Sequence, residues 1–148
     1  MDLGHWQLAE GLQPNPDAFG FVYRIDRLNP GPNDKKHYWG CKQMVRNVKL
    51  APLKGKTKKR KKIQESDWRN YYGSSNELLD DIKKYGKDSF RGFILVFCSC
   101  KWQLKYEELK LQMQNNVLVR DDVYNSIMNV RINKVPKDLR ESYGLAHS

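Results

Sequence analysis

Two short runs of aromatic and β-branched residues, separated by a proline-rich turn, constrain the fold of this chain most strongly. The first run covers residues 19–25 and the second covers residues 36–41, and both have the composition typical of strands. Between them, residues 29–34 hold two prolines, a glycine and three Asx residues, which are types that form turns. The sequence therefore predicts an antiparallel hairpin.

Two helices and a third strand are predicted after the hairpin. Residues 74–77 fit a capping box, the apolar residues after them have helical spacing, and Gly86 is well placed to end this helix. Residues 90–98 form a short apolar run typical of a buried strand, and a second helix is predicted over about residues 101–115. A short edge strand is expected at residues 130–132. The predicted fold is α/β, with a three-stranded antiparallel sheet flanked by helices.

The excess positive charge of the chain is confined to one segment. Residues 42–62 contain ten basic and no acidic residues, whereas the rest of the chain is balanced. Like charges at this density repel one another, so residues 43–66 are predicted to form a long basic loop that stays mobile until a polyanion binds. Nucleic acid is the first candidate partner and an anionic membrane the second. The predicted nucleic-acid-binding residues are Lys54, Lys56, Lys58, Lys59, Arg60, Lys61 and Lys62.

The two ends of the chain and its three cysteines indicate its organisation and location. Residues 1–18 are expected to form a loosely docked N-terminal extension, residues 19–133 the globular domain, and residues 134–148 a frayed C-terminal tail. An odd number of cysteines without a signal peptide favours an intracellular setting over secretion. A polybasic membrane anchor usually needs a second signal, and none is found, so no membrane partner is expected.

Several features of the sequence suit hydrolysis of a phosphodiester bond. Tyr23 and Tyr38 lie on the paired strands, and Lys42 follows the second strand closely. Glu107 and Glu108 lie on the second predicted helix. This chemistry needs a group that activates water, a hard cation with oxygen ligands, and a cationic side chain that stabilises the added charge. Each feature alone has a simpler interpretation, because a strand tyrosine usually serves packing and a helix glutamate is usually solvated.

Taken together, the order and spacing of these residues resemble the GIY-YIG nuclease family. Phe-Val-Tyr at residues 21–23 and Tyr-Trp-Gly at residues 38–40 stand where the family has its two tripeptides. Other segments are similar to a block of phage-encoded Seg-type members, to the glutamate helix of the family and to its closing Tyr-Asn pair, at residues 66–75, 104–112 and 124–125. The resemblance extends from about residue 20 to residue 132.

The resemblance implies a metal-dependent endonuclease, phage-encoded and of the homing type, that hydrolyses double-stranded DNA in the cytoplasm of a bacterial host. The sequence leaves host-DNA degradation and repair open as alternative biological roles. It implies Mg²⁺ or Mn²⁺ as the metal and no small-molecule cofactor. Tyr23, assisted by Lys42, would help to deprotonate a water, and Arg69 would stabilise the transition state. The implied catalytic residues are Tyr23, Tyr38, Lys42, Arg69, Glu108 and Asn125, with Glu108 as the metal ligand.

The choice of metal ligand lies between two neighbouring glutamates. Glu107 shares a helix face with the polar residues Gln103 and Lys110. Glu108 projects near Leu104, toward an apolar side of the helix. A ligand that faces an interior cleft should resemble Glu108, and the family pattern favours the same residue.

Other assignments stay open. Arg91 is the alternative to Arg69, and His37 should point to the sheet face opposite to Tyr38 because it directly precedes that residue. The alternative function is a non-catalytic nucleic-acid-binding module on the same scaffold. The chain has little room for a separate DNA-reading domain. It is therefore expected either to be weakly specific or to rely on a partner or on a homodimer.

Overall fold

A computed structural model describes residues 1–144 of the chain. Within this part, no helix is long and apolar enough to cross a membrane. Five strands precede the first α-helix and a sixth separates it from the second, and the α/β class predicted from the sequence is confirmed. The elements are β1 (Trp6–Leu8), β2 (Gly20–Arg27), β3 (His37–Gln43), β4 (Val45–Leu50), β5 (Arg60–Glu65), α1 (Asn76–Tyr85), β6 (Phe90–Cys98) and α2 (Lys101–Gln114).

The main sheet has four strands in the order β1-β6-β2-β3. The predicted hairpin is confirmed, because β2 and β3 pair antiparallel with Tyr23 opposite Gly40. β2 also pairs antiparallel with β6, and β1 lies parallel to β6. The prediction of three strands is wrong because β1 adds a fourth. The predicted edge strand at residues 130–132 does not form, since these residues have no regular structure.

The N-terminal segment is held in the core by one tryptophan. Trp6 is 3% exposed, and its indole N–H donates a hydrogen bond of 2.6 Å to the carbonyl of Trp68. The ring lies against Gly92, the residue paired with Trp6, where a Cβ atom would stand 2.6 Å from the ring. The prediction of a loosely docked N-terminal extension is therefore wrong.

The central strand β2 is covered on both faces. Val22 packs with Cys98 and with Leu104 of α2 on one face. Tyr23 and its neighbours Phe21 and Ile25 pack on the other face, with buried residues of α1 and with Trp68. Burial on both faces explains why β2 begins with four buried residues in succession, residues 20–23, whereas its second half carries charged residues that are only partly buried.

Helix α1 has a defined start and end. The Ser75 hydroxyl accepts a hydrogen bond of 3.3 Å from the backbone N–H of Leu78, so the N-cap is one residue later than the capping box predicts. The helix ends at Gly86, whose φ of 90° is rarely adopted by residues with side chains. These two signals fix the two ends of the helix. Its N-terminal end follows Ser74, whose hydroxyl contacts that of Tyr38 on β3.

The basic segment forms a β-ribbon, so the prediction of a long mobile loop over residues 43–66 is wrong. β4 and β5 pair antiparallel over six residues each, from Val45 opposite Glu65 to Leu50 opposite Arg60, and form a separate sheet. Alternation along each strand sends the lysines to two faces, both open to water, so their repulsion does not oppose the backbone ladder. A hydrogen bond of 2.9 Å from the Ser66 N–H to the carbonyl of buried Met44 extends the ladder into the domain.

The C-terminal segment packs against α2 as far as it is described. The Tyr143 ring contacts the stacked rings of Trp102 and Tyr106, and its hydroxyl donates a hydrogen bond of 3.0 Å to Glu107. The prediction of a frayed tail is therefore wrong for residues 134–144. The rest of the predicted tail, residues 145–148, lies outside the described residues.

The docking of β1 gives a testable prediction. We expect Trp6→Ala to lower the free energy of unfolding by about 3–5 kcal/mol, because it empties a buried ring site and leaves the Trp68 carbonyl without its donor. Gln7→Ala, at the exposed neighbouring position of the same strand, should change it by less than about 0.5 kcal/mol. Urea unfolding measures both, and equal small effects would show that β1 is not part of the core.

Candidate active site

The candidate site is built along the free edge of β3. Alternate residues of this edge strand point their backbone groups away from β2 and need other partners. The His37 carbonyl accepts a hydrogen bond of 2.8 Å from the Tyr124 N–H. The Asn125 side chain pairs with both backbone groups of Trp39, accepting at 3.0 Å and donating at 2.7 Å. The Cys41 N–H donates to the carboxylate of Glu108. Asn125 and Glu108 therefore bind successive outward-facing positions of one strand.

A polar cleft of about 500 Å³ opens along this edge, between β3, the first turn of α1 and the middle of α2. Three of the predicted catalytic residues line it, and no lysine or arginine is among its lining residues. The lining residues are Tyr38, Ser74, Ser75, Asn76, Glu77, Glu108, Gln112, Tyr124, Asn125, Ser126, Ile127 and Asn129. The cleft is therefore rich in oxygen and amide groups, and its formal charges come from carboxylates.

Two glycines allow the two tyrosines of the motif to approach each other. A Cβ atom at Gly40 would stand 2.5 Å from the Tyr23 hydroxyl oxygen and 3.0 Å from the Tyr38 ring. A Cβ at Gly73, where φ is 103°, would stand 3.1 Å from the Tyr38 ring. The glycine of the Tyr-Trp-Gly tripeptide thus makes room for the Tyr23 hydroxyl directly behind Tyr38.

Tyr23 and Tyr38 have different environments. Tyr23 is 1% exposed, and burial, followed by the neighbouring groups of Tyr38 and Tyr71, raises its pKa well above the ordinary value. Tyr38 lines the cleft, and its hydroxyl lies 3.3 Å from the Ser74 hydroxyl oxygen. Tyr23 therefore stays protonated under ordinary conditions, and Tyr38 is the tyrosine that a molecule in the cleft can touch.

The two neighbouring glutamates of α2 are also in different environments. Burial is the largest influence on Glu108 and raises its pKa, while hydrogen bonds from the thiol and backbone of Cys41 oppose that rise. Among residues 1–144, no basic side chain forms an ion pair with Glu108. Glu107 pairs with Lys110 at 2.9 Å and accepts a hydrogen bond from the Tyr143 hydroxyl. Its polar helix face predicts a solvated side chain, but Glu107 is buried. Of these two glutamates of α2, Glu108 lines the cleft and Glu107 does not.

The predicted cationic residues lie outside the cleft. Lys42 forms an ion pair of 2.8 Å with Asp67, and its ammonium lies 4.1 Å from the centre of the Tyr71 ring. Arg69 is paired with Glu65 and also donates to the backbone carbonyl of Asp2. Both cations are thus engaged by groups of the protein itself.

The two remaining alternatives also lie outside the cleft. Arg91 is exposed on β6. The His37 imidazole lies on the face opposite to Tyr38 and contacts the Asp26 carboxylate at 2.7 Å. Neither residue is therefore placed to touch a molecule bound beside Glu108.

Sequence reasoning assigned no role in the site to two residues that shape the cleft. Gln112 is 6% exposed and donates a hydrogen bond of 3.1 Å to the Trp39 carbonyl, which Asn125 also binds. Its spacing of four residues from Glu108 places both on one side of α2, and that spacing was the available signal. Tyr124 donates a hydrogen bond of 2.7 Å to Asp81 and so links the closing segment to α1.

The donor set of the cleft suits a hard divalent cation. No group of three His, Cys, Asp or Glu side chains that could hold a metal occurs within residues 1–144. Mg²⁺ does not need such a group, because it usually keeps several waters and binds through one or two carboxylates and the phosphates of a substrate. The Glu108 carboxylate, which lines a polar cleft and is not in an ion pair with any described residue, fits this mode of binding. Glu107 does not fit it, because Lys110 already neutralises its charge.

Fold and cleft together define an α/β domain in which three of the catalytic candidates lie along one strand edge. A family model described as "Putative endonuclease segE, GIY-YIG domain" matches residues 8–129. The chain therefore belongs to this Seg-type branch of the GIY-YIG endonuclease family. The match extends from the end of β1 to beyond Asn125, so it includes the elements that form the cleft. No curated protein and no solved structure matches the chain.

The contrast between the two glutamates predicts opposite effects on stability. Because the pKa of Glu108 is raised in the folded state, its ionisation begins to oppose folding as the pH rises above the ordinary glutamate pKa of the unfolded chain, and the full cost is reached above the folded-state pKa. We therefore expect Glu108→Gln to stabilise the metal-free protein at pH 7, and this gain should vanish as the pH falls below about 4.3, the ordinary glutamate pKa. Urea unfolding at several pH values measures it.

Glu107→Gln is the matched control, because it makes the same change one residue away. It should destabilise the protein by about 1 kcal/mol, since it weakens the contacts with Lys110 and Tyr143. Destabilisation by both substitutions at pH 7 would show that Glu108 is compensated in the same way as Glu107.

Proposed function

We propose that this chain is a metal-dependent endonuclease that hydrolyses phosphodiester bonds of double-stranded DNA in the cleft beside β3. The observation that carries the proposal is the Glu108 carboxylate, which lines a polar cleft with Tyr38 and forms no ion pair with a described residue. Membership of the GIY-YIG endonuclease family supports it. We further propose that the protein is phage-encoded, acts as a homing-type nuclease, and works in the cytoplasm of a bacterial host, where its free cysteines would stay reduced.

Glu108 would hold the metal, for which we propose Mg²⁺ or Mn²⁺. A bound divalent ion would neutralise charge on the scissile phosphate and on the leaving oxygen. The chain contributes the orientation of the carboxylate, because the backbone and thiol of Cys41 both donate hydrogen bonds to it. Asn125 and Gln112 hold the adjacent strand position by binding the backbone of Trp39.

The phosphate would be bound by the first turn of α1. The backbone N–H groups of Asn76 and Glu77 belong to this turn, and such groups form ready anion sites. The acidic side chain of Glu77 pairs with Lys35 at 2.6 Å and so is held by a cation rather than left to oppose an anion. Tyr38, which stands beside this turn, would orient the attacking water through its hydroxyl.

The roles of the other predicted residues follow from their partners. Tyr23 would support Tyr38 from behind and remain protonated, rather than deprotonate the water. Lys42 and Arg69 could act on DNA only by exchanging the carboxylates that hold them, Asp67 and Glu65, for phosphate. A duplex that enters the cleft would supply that competing anion. The basic ribbon would bind the DNA backbone, so that affinity falls steeply with salt.

Plasmid nicking tests the metal assignment. At low salt with Mg²⁺, the wild-type protein should convert supercoiled plasmid to nicked or linear DNA, and a chelator should stop the reaction. Glu108→Gln should reduce the rate by about a hundredfold or more, the scale of several kcal/mol of transition-state stabilisation. Glu107→Gln should cut at close to the wild-type rate. Equal rates for the two variants would refute the assignment of Glu108, and DNA that is bound but uncut with Mg²⁺ or Mn²⁺ would support a non-catalytic binding module.

The roles of Tyr23 and Tyr38 can be distinguished by removing one hydroxyl at a time. We expect Tyr38→Phe to lower the cleavage rate by about 10²-fold, because it removes a polar group from the cleft itself. Tyr23→Phe should lower it by less than about tenfold, since the buried ring is retained and only its support of Tyr38 changes. Single-turnover cleavage measures both rates. A larger effect of Tyr23→Phe would make Tyr23 the residue that acts on the water.

A further inference from the structure

The ribbon of β4 and β5 has two faces of different chemistry. Directly opposed residues share a face, and successive pairs alternate between faces. The first face, named the Arg46 face, consists of the pairs Arg46–Gln64, Val48–Lys62 and Leu50–Arg60. The second, named the Lys49 face, consists of the pairs Val45–Glu65, Asn47–Ile63 and Lys49–Lys61.

The ribbon is free to enter a groove. It forms its own two-stranded sheet and pairs with none of the strands of the main sheet. All six residues of β5 are exposed, including Ile63, which is 71% exposed. Within residues 1–144, none of the lysines of the ribbon or of its tip forms an ion pair. The positive charge of the ribbon is therefore available to an external partner.

The dimensions of the ribbon suit one groove of duplex DNA. Six residues per strand give a length of about 20 Å at ~3.4 Å per residue, and the two strands lie about 5 Å apart. The major groove of B-DNA is about 12 Å wide and admits a two-stranded ribbon, whereas the minor groove is about 6 Å wide. The major groove of an RNA duplex is too narrow for side chains to read.

The Arg46 face carries the residue types that read bases. Arginine can bind the O6 and N7 atoms of guanine, glutamine can bind adenine, and aliphatic groups contact the methyl of thymine. Arg46, Gln64 and Val48 supply these three types on one face. On the Lys49 face, Glu65 is already held by Trp68 and Arg69, and the outer pair is two lysines, which suit phosphates.

The Arg46 face is continuous with the catalytic side of the main sheet. Lys42 shares a face of β3 with Tyr38, since the two lie an even number of residues apart. Lys42 binds Asp67, and Arg46 lies close enough to Asp67 to help lower the pKa of that carboxyl. A duplex in contact with the Arg46 face would therefore extend past Lys42 toward the cleft.

We propose that the β4–β5 ribbon enters the major groove of the DNA substrate, with the Arg46 face against base edges and the Lys49 face toward the backbone. The inference rests on the proposed function for its substrate class. It adds that the ribbon reads sequence, whereas a purely electrostatic arm would bind all sequences alike. Arg46 and Lys62 contact bases, and Lys49 and Lys61 contact phosphates.

Duplexes that lack single groove atoms test the inference. The probes are one short DNA duplex of fixed sequence, the same duplex with 7-deazaguanine in place of every guanine, and the same duplex with 3-deazaadenine in place of every adenine. The first replacement removes the guanine N7 acceptor of the major groove, and the second removes the adenine N3 acceptor of the minor groove. Binding to each is measured by fluorescence anisotropy with chelator present, so that no cutting occurs.

The wild-type protein should bind the 7-deazaguanine duplex about fivefold or more weakly than the unmodified duplex, the lower end of a lost bidentate contact. It should bind the 3-deazaadenine duplex equally well. Weaker binding to the 3-deazaadenine duplex alone would place the ribbon in the minor groove. Equal binding to all three duplexes would show that the ribbon contacts only the DNA backbone. Either result overturns the inference.

Two double variants that each remove two positive charges provide the matched comparison. Arg46→Ala/Lys62→Ala should lose the discrimination against 7-deazaguanine. Lys49→Ala/Lys61→Ala should keep it, while the slope of log affinity against log salt falls by about 2, near 0.9 for each lost phosphate contact. Equal behaviour of the two variants would refute the division into two faces. Thermal unfolding of both variants, which change only exposed side chains, checks that the ribbon is intact.

The nuclease proposal and the ribbon inference can fail separately. If the protein cuts plasmid but binds the three duplexes equally, the ribbon inference is refuted and the nuclease proposal stands. If the protein binds the 7-deazaguanine duplex more weakly but does not cut plasmid with Mg²⁺ or Mn²⁺, the ribbon inference stands and the nuclease proposal is refuted. No binding to any duplex would overturn the inference directly.

Discussion

The candidate site depends on how the free edge of β3 is hydrogen-bonded. Buried backbone groups on an edge strand are costly when they lack partners, and every second residue of β3 presents such groups. The backbone of residues 122–124 satisfies His37, the Asn125 amide satisfies Trp39, and the Glu108 carboxylate satisfies the N–H of Cys41. The side chains that complete this edge are also the ones that line the cleft. The strand edge and the site therefore form together, and neither is complete without the other.

At a sheet edge, groups from both sheet faces can meet. Tyr38 points toward α1, whereas Glu108 belongs to the helix packed on the opposite face, and within the main sheet no strand lies beyond β3 to separate them. Gly40 lets the Tyr23 hydroxyl approach from within the sheet. A cleft at an edge is open along its length, so it can accept a polymer that passes across it, whereas small-molecule sites bury most of their ligand.

Local sequence patterns predicted the parts of this fold that local forces determine. The β2–β3 hairpin, the central strand β6 and both helices follow from turn residues, capping residues and periodicity, and helix geometry correctly placed Glu108 toward the interior. The docking of Trp6 and the burial of Glu107 were missed because their partners, Trp68 and Tyr143, lie 62 and 36 residues away. The ribbon was missed for another reason. The high density of positive charge was taken to indicate a mobile loop. Alternation along a strand, however, places the charged side chains on two exposed faces while the backbone still pairs.

The positive charge of this molecule lies apart from its candidate catalytic cleft. The chain has a net charge of +10, and the segment from residue 42 to residue 62 accounts for all of it. The cleft is lined by hydroxyl, amide and carboxylate groups with no lysine or arginine among them, so on its own it would attract a polyanion weakly. In the proposed function, attraction would therefore come from the ribbon, which is joined to β3 by the single residue Met44. This short connection would bring DNA bound by the ribbon to the edge of β3, where Glu108 would hold the metal that offsets the remaining repulsion.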